Sequence, residues 1–329
     1  MAIQVSVNNT RPILTVLIIG FKMPEQLLNT VYSLSVNYQR NVNESDYEVI
    51  IVENRSDQVL AADEILKFKG NFRYILRDEP GESPAAAIND GVRVARGEYL
   101  CLMIDGARIA SPGVVCTIIQ ATKLCAAPLI SVPSYVLGTL AQHEKSGVAY
   151  DFSTDRALLD NADWRRDGYQ LFNISYLCES NGKGFFFTIM ESTCLTVRKQ
   201  TFLEIGGADE RFDLRGGGML NLYLYRTLAQ RPDLSLFLLI GEGVFHQYHG
   251  GATSSGAADK PEFVARMQAQ YRLIADEMYQ GVQREPVFLG KLHPAMIKFL
   301  EKSCESGAVR FGRYERNGRE EWPHEFVHF

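Results

Sequence analysis

Within the first 110 residues the chain alternates short apolar, β-branched runs with stretches of helical periodicity. Ile13–Ile19, Tyr47–Val52, Phe72–Leu76 and Glu98–Ile104 read as buried strands. Apolar side chains fall on both faces of each, the mark of a parallel sheet covered on two sides. A helix starting at Pro24 carries Leu27, Leu28, Val31 and Leu34 at helical spacing. A second is expected over Val59–Phe68, closed by Gly70. A third spans Pro84–Ala95, faces inward through Ile88, Val92 and Ala95, and is stopped by Gly97. Strands and helices that alternate this way give an α/β domain with right-handed crossovers. Such sheets bind ligands at the carboxyl ends of their strands. Asp105 stands at that end of the fourth run, and Gly106 lets a ligand approach the backbone.

The second half is less regular. Pro112–Leu124 is expected to be helical and Leu129–Leu137 extended. From Gly138 to Gly184 the pattern predicts loops and short helices. Phe185–Val197 predicts one or two strands, Lys199–Ile205 a short helix, Met219–Ala229 a helix and Leu234–Ile240 a strand. That last strand runs into a glycine-rich segment, Gly241–Gly251, which holds His246 and His249. Pro261–Met278 is amphipathic, and a charged tail carries Trp322, Phe326 and Phe329. No repeat or linker divides the chain, so one continuous domain with a C-terminal helical extension is expected. With 329 residues, 46% of them hydrophobic, the chain can bury a sizeable core. A net charge of −5 argues against a nucleic-acid surface. No apolar run approaches the ~20 residues of a transmembrane segment. Met1–Pro12 lacks the order of a signal peptide. The six cysteines are scattered without a CxxC pair, which reads as reduced thiols. The expected location is cytoplasmic, either free or peripheral to a membrane.

Four segments resemble glycosyltransferase family 2, of the GT-A fold. They are Thr15–Phe21 with Pro24-Glu25; Glu48–Ser56; Ser83–Gly91 with Arg96–Tyr99; and Ile205–Phe212. Together they cover roughly residues 12–250. The resemblance implies a Rossmann-like nucleotide-binding half (12–110) and an acceptor half (111–256). Both would lie within a GT-A domain, 1–256, built on a mixed, mostly parallel sheet with helices on both faces. Residues 257–329 would form the helical extension. It implies a metal-dependent transferase that takes a nucleotide-diphospho-sugar as donor and a saccharide or other hydroxyl compound as acceptor. Gly20, Phe21, Glu53, Arg55, Asn89, Asp105, Gly106 and Ala107 would contact the donor. A divalent cation, Mn²⁺ or Mg²⁺, would sit on Asp105, with His246 as a downstream ligand and His249 as a further metal or phosphate contact; imidazole suits Mn²⁺ better than Mg²⁺.

The chain departs from the family pattern twice. The usual Asp-x-Asp is Asp105-Gly106-Ala107, without the second carboxylate. The usual Glu-Asp pair, whose Asp is the catalytic base, is replaced in Gly216-Gly217-Gly218-Met219-Leu220-Asn221. The proton acceptor must then be sought among Glu191, Asp209, Glu210 and Asp213. Glu191 follows the apolar run Phe185–Met190, where desolvation would raise its pKa and suit it to a base. Asp209 has the family position. A retaining mechanism, in which the leaving phosphate helps remove the proton, stays open. Trp164, Arg165, Arg166 and Tyr169 are candidates for acceptor contact. Two rivals remain: a degenerate sugar-nucleotide-binding module and a nucleotidyltransferase. Gly20–Pro24 lacks the Gly-rich, basic loop that the second would carry. The C-terminal aromatics leave a homodimer open.

Overall fold

The computed structural model describes residues 2–4, 11–79, 81–138, 150–187, 189–249, 260–282 and 284–317. Gly250, Gly251, the 256/257 division, Trp322, Phe326 and Phe329 lie outside these residues.

The strand β2 (Leu14–Gly20) is buried along its whole length. Its side chains alternate between two cores. Leu17 and Ile19 join one, and Val16 and Ile18 the other. The strands β3 (Tyr47–Asn54) and β5 (Tyr99–Met103) flank β2 in parallel and divide their side chains the same way. β4 (Phe72–Arg77) follows β3, and β1 (Ala2–Gln4) closes that edge antiparallel. The helix α1 (Pro24–Ser33) covers one face with Leu27 and Val31. α3 (Ala85–Val94) covers the other with Ile88 and Val92.

Beyond β5 the chain builds β6 (Arg108–Ala110), α4 (Val114–Ala121), β7 (Pro128–Ser131), β8 (Ser134–Leu137), α5 (Phe152–Ala162) and β9 (Ser175–Leu177). β10 (Leu195–Arg198), α6 (Lys199–Glu204), α7 (Leu220–Ala229), β11 (Ser235–Leu239) and β12 (Val244–His246) follow. α8 (Lys260–Ala275), β13 (Val287–Leu289) and α9 (Ile297–Asn317) complete it. The main sheet has nine strands in the order β1-β4-β3-β2-β5-β10-β7-β11-β13. β10 runs antiparallel to both its neighbours, whereas β7, β11 and β13 are parallel to one another. A second sheet, β6-β12-β8-β9, stands at the carboxyl end of β5. It packs on a third, aromatic core of Tyr135, Trp164, Phe172, Phe245 and Phe299.

One expectation about elements is corrected and two are made finer. Only α2 (Ala62–Ile65) forms within the helix expected over Val59–Phe68. The Leu60 amide is taken by the Glu53 carboxylate, and no side chain caps the helix start. Leu129–Leu137 is two strands in different sheets, parted at Val132-Pro133. The run from Phe185 contributes to the cores, but among its described residues only Leu195–Arg198 is strand. Part of its backbone is bonded to the C-terminal segment instead. Ser303 Oγ accepts from the Phe185 amide at 2.9 Å, Arg310 donates to the Phe186 carbonyl at 2.5 Å, and the Tyr279 hydroxyl donates to the Met190 carbonyl at 2.7 Å. Thus the C-terminal segment does more than extend the domain. β13 lengthens the main sheet, and Tyr271, Tyr279 and Val282 are core residues. Gly290, at φ +130°, turns the chain beside Ile240, whose carbonyl would lie 1.9 Å from any added Cβ. Among the described residues no helix is long and apolar enough to cross a membrane.

Candidate active site

Asp105 follows β5 by two residues, where the chain leaves the main sheet for the small one. Gly106 makes the crossing: a Cβ there would lie 2.7 Å from the Ile19 carbonyl oxygen. The Asp105 carboxylate is turned inward. Oδ1 accepts from the Ala107 amide at 3.0 Å, and Oδ2 from Arg108 Nε at 3.1 Å. β12 pairs antiparallel with β6, His246 opposite Arg108, which carries His246 to the same place. His246 Nε2 lies 2.9 Å from Asp105 Oδ2, and His249 Nε2 lies 3.6 Å from Oδ1.

The two imidazoles also face each other, Nε2 to Nε2, at 3.1 Å. Burial, then Arg108, pushes His246 down to about 3, and burial lowers His249 as well. Both rings are therefore neutral near pH 7, and at most one proton lies between the facing nitrogens. Burial opposes the charge on Asp105, but His246, His249 and Arg108 together hold it well below the usual carboxylate range. An anionic oxygen and two neutral imidazole nitrogens thus converge, all within 4.8 Å of one another. Ligand bonds of ~2.1 Å at right angles place donor atoms ~3.0 Å apart. The observed spacings fit a divalent cation, and the mixed N,O donor set suits Mn²⁺ better than Mg²⁺.

α1 clamps both loops. Thr30 Oγ1 donates to the Gly106 carbonyl at 2.7 Å. Gln26 Nε2 donates to the Tyr248 carbonyl at 2.9 Å, and Gln247 Nε2 returns a bond to the Gln26 carbonyl at 3.0 Å. Asn29 Nδ2 donates to Gln247 Oε1 at 2.8 Å. The Gln247 amide donates to the Ala107 carbonyl at 2.9 Å, so the Asp105 loop and the histidine loop are bonded directly. Asp155 of α5, fully buried, accepts from the Tyr248 amide.

Glu191 belongs to this group. Burial raises its pKa, Arg108 lowers it, and Asp105 and Glu179 are close enough to raise it again. Its Oε2 accepts from Asn221 Nδ2 at 2.6 Å. Asn221 lies in α7, in the segment where the family pattern has acids. The backbone just before Glu191 is fixed by Tyr279.

The other sequence candidates are dispersed. Gly20 ends β2 against Glu53, and Phe21 lies under Lys22 at 5.4 Å. Glu53 is fully buried: Oε2 accepts from Tyr74 at 2.6 Å and from Leu60, while Oε1 is buried without a partner. Burial raises its pKa, partly offset by those two donors. Arg55 is an exposed partner of Asp78. Asn89 is tied twice to Ala208, through its carbonyl and its amide, and once to Glu210. Asp209 is gripped by Arg211, whose hydrogen bonds hold its pKa down. Asn89, Asp209 and Glu210 line an open depression whose walls include neither Asp105 nor the histidines. Asp213 accepts from Gln270 at 2.8 Å. Trp164 is core rather than an exposed platform, with its ring edge-on to Tyr32 and Tyr38. Arg165 lies over it at 4.6 Å, and Tyr169 donates to Glu242 at 2.8 Å.

Sequence reasoning missed Arg108, Gln26, Asn29, Gln247, Asn221 and Tyr279. For Arg108 a signal existed: a cation three residues past Asp105, at the start of an apolar triplet. The rest act through contacts between segments far apart in sequence, which no local pattern records.

Residues 15–105 match glycosyl transferase family 2, and Asp105 is the last residue matched. Comparison with curated proteins finds no match. Among solved structures the chain is similar to S. aureus TarS, at 10% identity and a TM-score of 0.49, over 79% of this chain and 43% of that one. It is similar to S. aureus TarS 1–349 in complex with UDP-GlcNAc, at 12% identity and a TM-score of 0.49, over 79% of this chain and 66% of that one. A third likeness is to TarS 1–349 in complex with UDP, at 11% identity and a TM-score of 0.47, over 94% and 92%. The chain is thus family 2-like from β2 to Asp105. The matched segment runs through the parallel strands β2, β3, β4 and β5 of the main sheet.

Proposed function

We propose that the protein transfers a sugar from a nucleotide-diphospho-sugar to a hydroxyl acceptor, at the site formed by Asp105, His246, His249 and Glu191. The observation that carries this reading is the convergence of both imidazoles on a strand-end carboxylate, with a desolvated glutamate within electrostatic range of that carboxylate. The family match, which ends on Asp105, supports it. Asp105, His246 and His249 would hold a divalent cation, which supplies Lewis-acid stabilisation of the departing diphosphate. Glu191 accepts the proton of the acceptor hydroxyl as that oxygen bonds to the anomeric carbon. The bond from that carbon to the diphosphate oxygen breaks, and the diphosphate leaves with the electron pair. Asn221 orients the Glu191 carboxylate. Asp209, gripped by Arg211, is the weaker candidate for base. Gly20, Phe21 and Arg55 remain the proposed donor contacts. Glu53 braces the loop after β3 and reaches a ligand only if its side chain turns.

A thermal-shift screen of sugar nucleotides with and without Mn²⁺ tests the reading. Metal-dependent stabilisation by at least one donor is expected, and Asp105→Ala should abolish it while leaving the fold intact. No stabilisation by any donor sinks the reading. The missing second Asp and missing Glu-Asp pair keep one alternative alive, a module that binds donors without turnover. Donor binding with no transfer and no slow hydrolysis would establish it.

A further inference from the structure

Arg108 is 7% exposed, so its guanidinium is almost wholly withdrawn from water. Such a group is retained only where it is paired and hydrogen-bonded. Nε donates to Asp105 Oδ2 at 3.1 Å, and Nη1 donates to Ser134 Oγ. Nη2 has no hydrogen-bond partner among the described residues. It shares with Nε the edge that faces Asp105, so an open donor is turned toward the site. Asp105, Glu191 and the two neutral histidines all lie within electrostatic range of it. Arg215 adds a second cation within electrostatic range of His249.

The local charge differs from that of the family pattern. Two carboxylates, as in Asp-x-Asp, repel a diphosphate until a metal arrives. Here Ala107 replaces the second carboxylate, and Arg108 cancels the charge of Asp105. A diphosphate therefore meets no net repulsion from this pair in the absence of metal. A guanidinium also matches phosphate oxygens in geometry better than a point charge does.

We infer that Arg108 is a resident cation of the diphosphate subsite: its Nη2 binds a phosphate oxygen directly, so the protein takes up a diphosphate without a metal ion and takes it up more tightly with one. This rests on the donor-site reading above, deepens it, and adds a binding residue that the metal group does not contain. Asp105 holds Arg108 in place and would keep its free valences for the cation.

Calorimetric titration with inorganic pyrophosphate and with UDP, each in EDTA and in Mn²⁺, tests the inference. The parent should bind pyrophosphate in EDTA, and Mn²⁺ should tighten that binding. Arg108→Gln should weaken the EDTA binding by about tenfold or more, the scale of a lost charge-assisted hydrogen bond. Arg108→Lys, which keeps the charge beside Asp105 if the glutamine variant does not fold, should fall between the two. No pyrophosphate binding by the parent in EDTA overturns the inference. So does equal binding by the parent and the folded variants. The UDP arm judges the donor reading separately: UDP that binds no tighter than pyrophosphate counts against a nucleotide pocket but leaves Arg108 as the anion contact.

Discussion

Glu191 and the two histidines are governed by the same force, withdrawal from water, which acts on them with opposite sign. Desolvation disfavours the charged form of each. It raises Glu191 and lowers His246 to about 3. A base must be deprotonated to act, so the acid limb of the turnover profile should lie above the ordinary glutamate range. Glu191→Gln keeps the shape and removes the base. Turnover should drop by a factor on the order of 10² or more with donor affinity nearly unchanged. Unaltered turnover in steady-state assays would move the proton to Asp209 or to the leaving phosphate. For the histidines, a ligand set that titrates near 6.5 would release metal as the pH drops through that value. Here His246 is already neutral between pH 7 and pH 5 and His249 is lowered as well, so loss of Mn²⁺ should be displaced below pH 6.5. The folded value of His246 is depressed, so the unfolded chain binds more protons between about 3 and 6.5. Stability should accordingly fall as the pH drops through that window. A sigmoidal loss of Mn²⁺ binding centred near pH 6.5 would show that the rings are solvated.

At the scale of elements, α1 sets the site although it supplies none of the proposed ligands. Its inward face packs on the sheet through Leu27 and Val31, while Gln26, Asn29 and Thr30 bond the loops of Asp105 and the histidines. Gln247 is the keystone, fully buried and bonded to Gln26, Asn29 and Ala107. Gln247→Ala should cost about 1–3 kcal/mol, because buried partners are left unsatisfied, and should weaken metal binding. Arg156→Ala removes an exposed pair with Glu25 on the same helix. It should change stability by less than ~1 kcal/mol. Denaturant melts of the two variants, compared with Mn²⁺ titrations, separate a clamp from surface decoration. Equal effects in both would count against the clamp.

At the scale of the whole molecule, the C-terminal segment returns to the sheet and braces the loop of the proposed base. β13 extends the nine-stranded sheet, and Tyr271, Tyr279 and Val282 enter the same core as α7. The Tyr279 hydroxyl holds the carbonyl of Met190, one residue before Glu191. Tyr279→Phe keeps the ring and loses that bond. Turnover should fall severalfold with KM for the donor little changed, since the lost contact positions Glu191 rather than the donor. A rise in donor KM at constant turnover would assign Tyr279 to the donor pocket instead.

The sequence alone determined the strands β2 to β5, the helices α1 and α3 and the place of Asp105. Those depend on local alternation of apolar and polar residues, and on turn residues that punctuate it. It also singled out His246, His249 and Glu191 as residues out of keeping with their surroundings. Only the tertiary structure decided which of the candidates meet. β12 pairs with β6 and brings His246 to Asp105, whereas Asp209 turns to Arg211 and Asn89 to Ala208. Of the helix expected over Val59–Phe68 only Ala62–Ile65 formed, and Leu60 is tied instead to Glu53, seven residues earlier in the chain. Of the one or two strands expected over Phe185–Val197, only that of Leu195–Arg198 formed among the described residues; Ser303, Arg310 and Tyr279 bond the backbone of Phe185, Phe186 and Met190 before it. Periodicity records which face of an element is buried; it carries no record of the distant partner that buries it. Hydrogen bonds between segments far apart in the chain therefore settled the chemistry of the site.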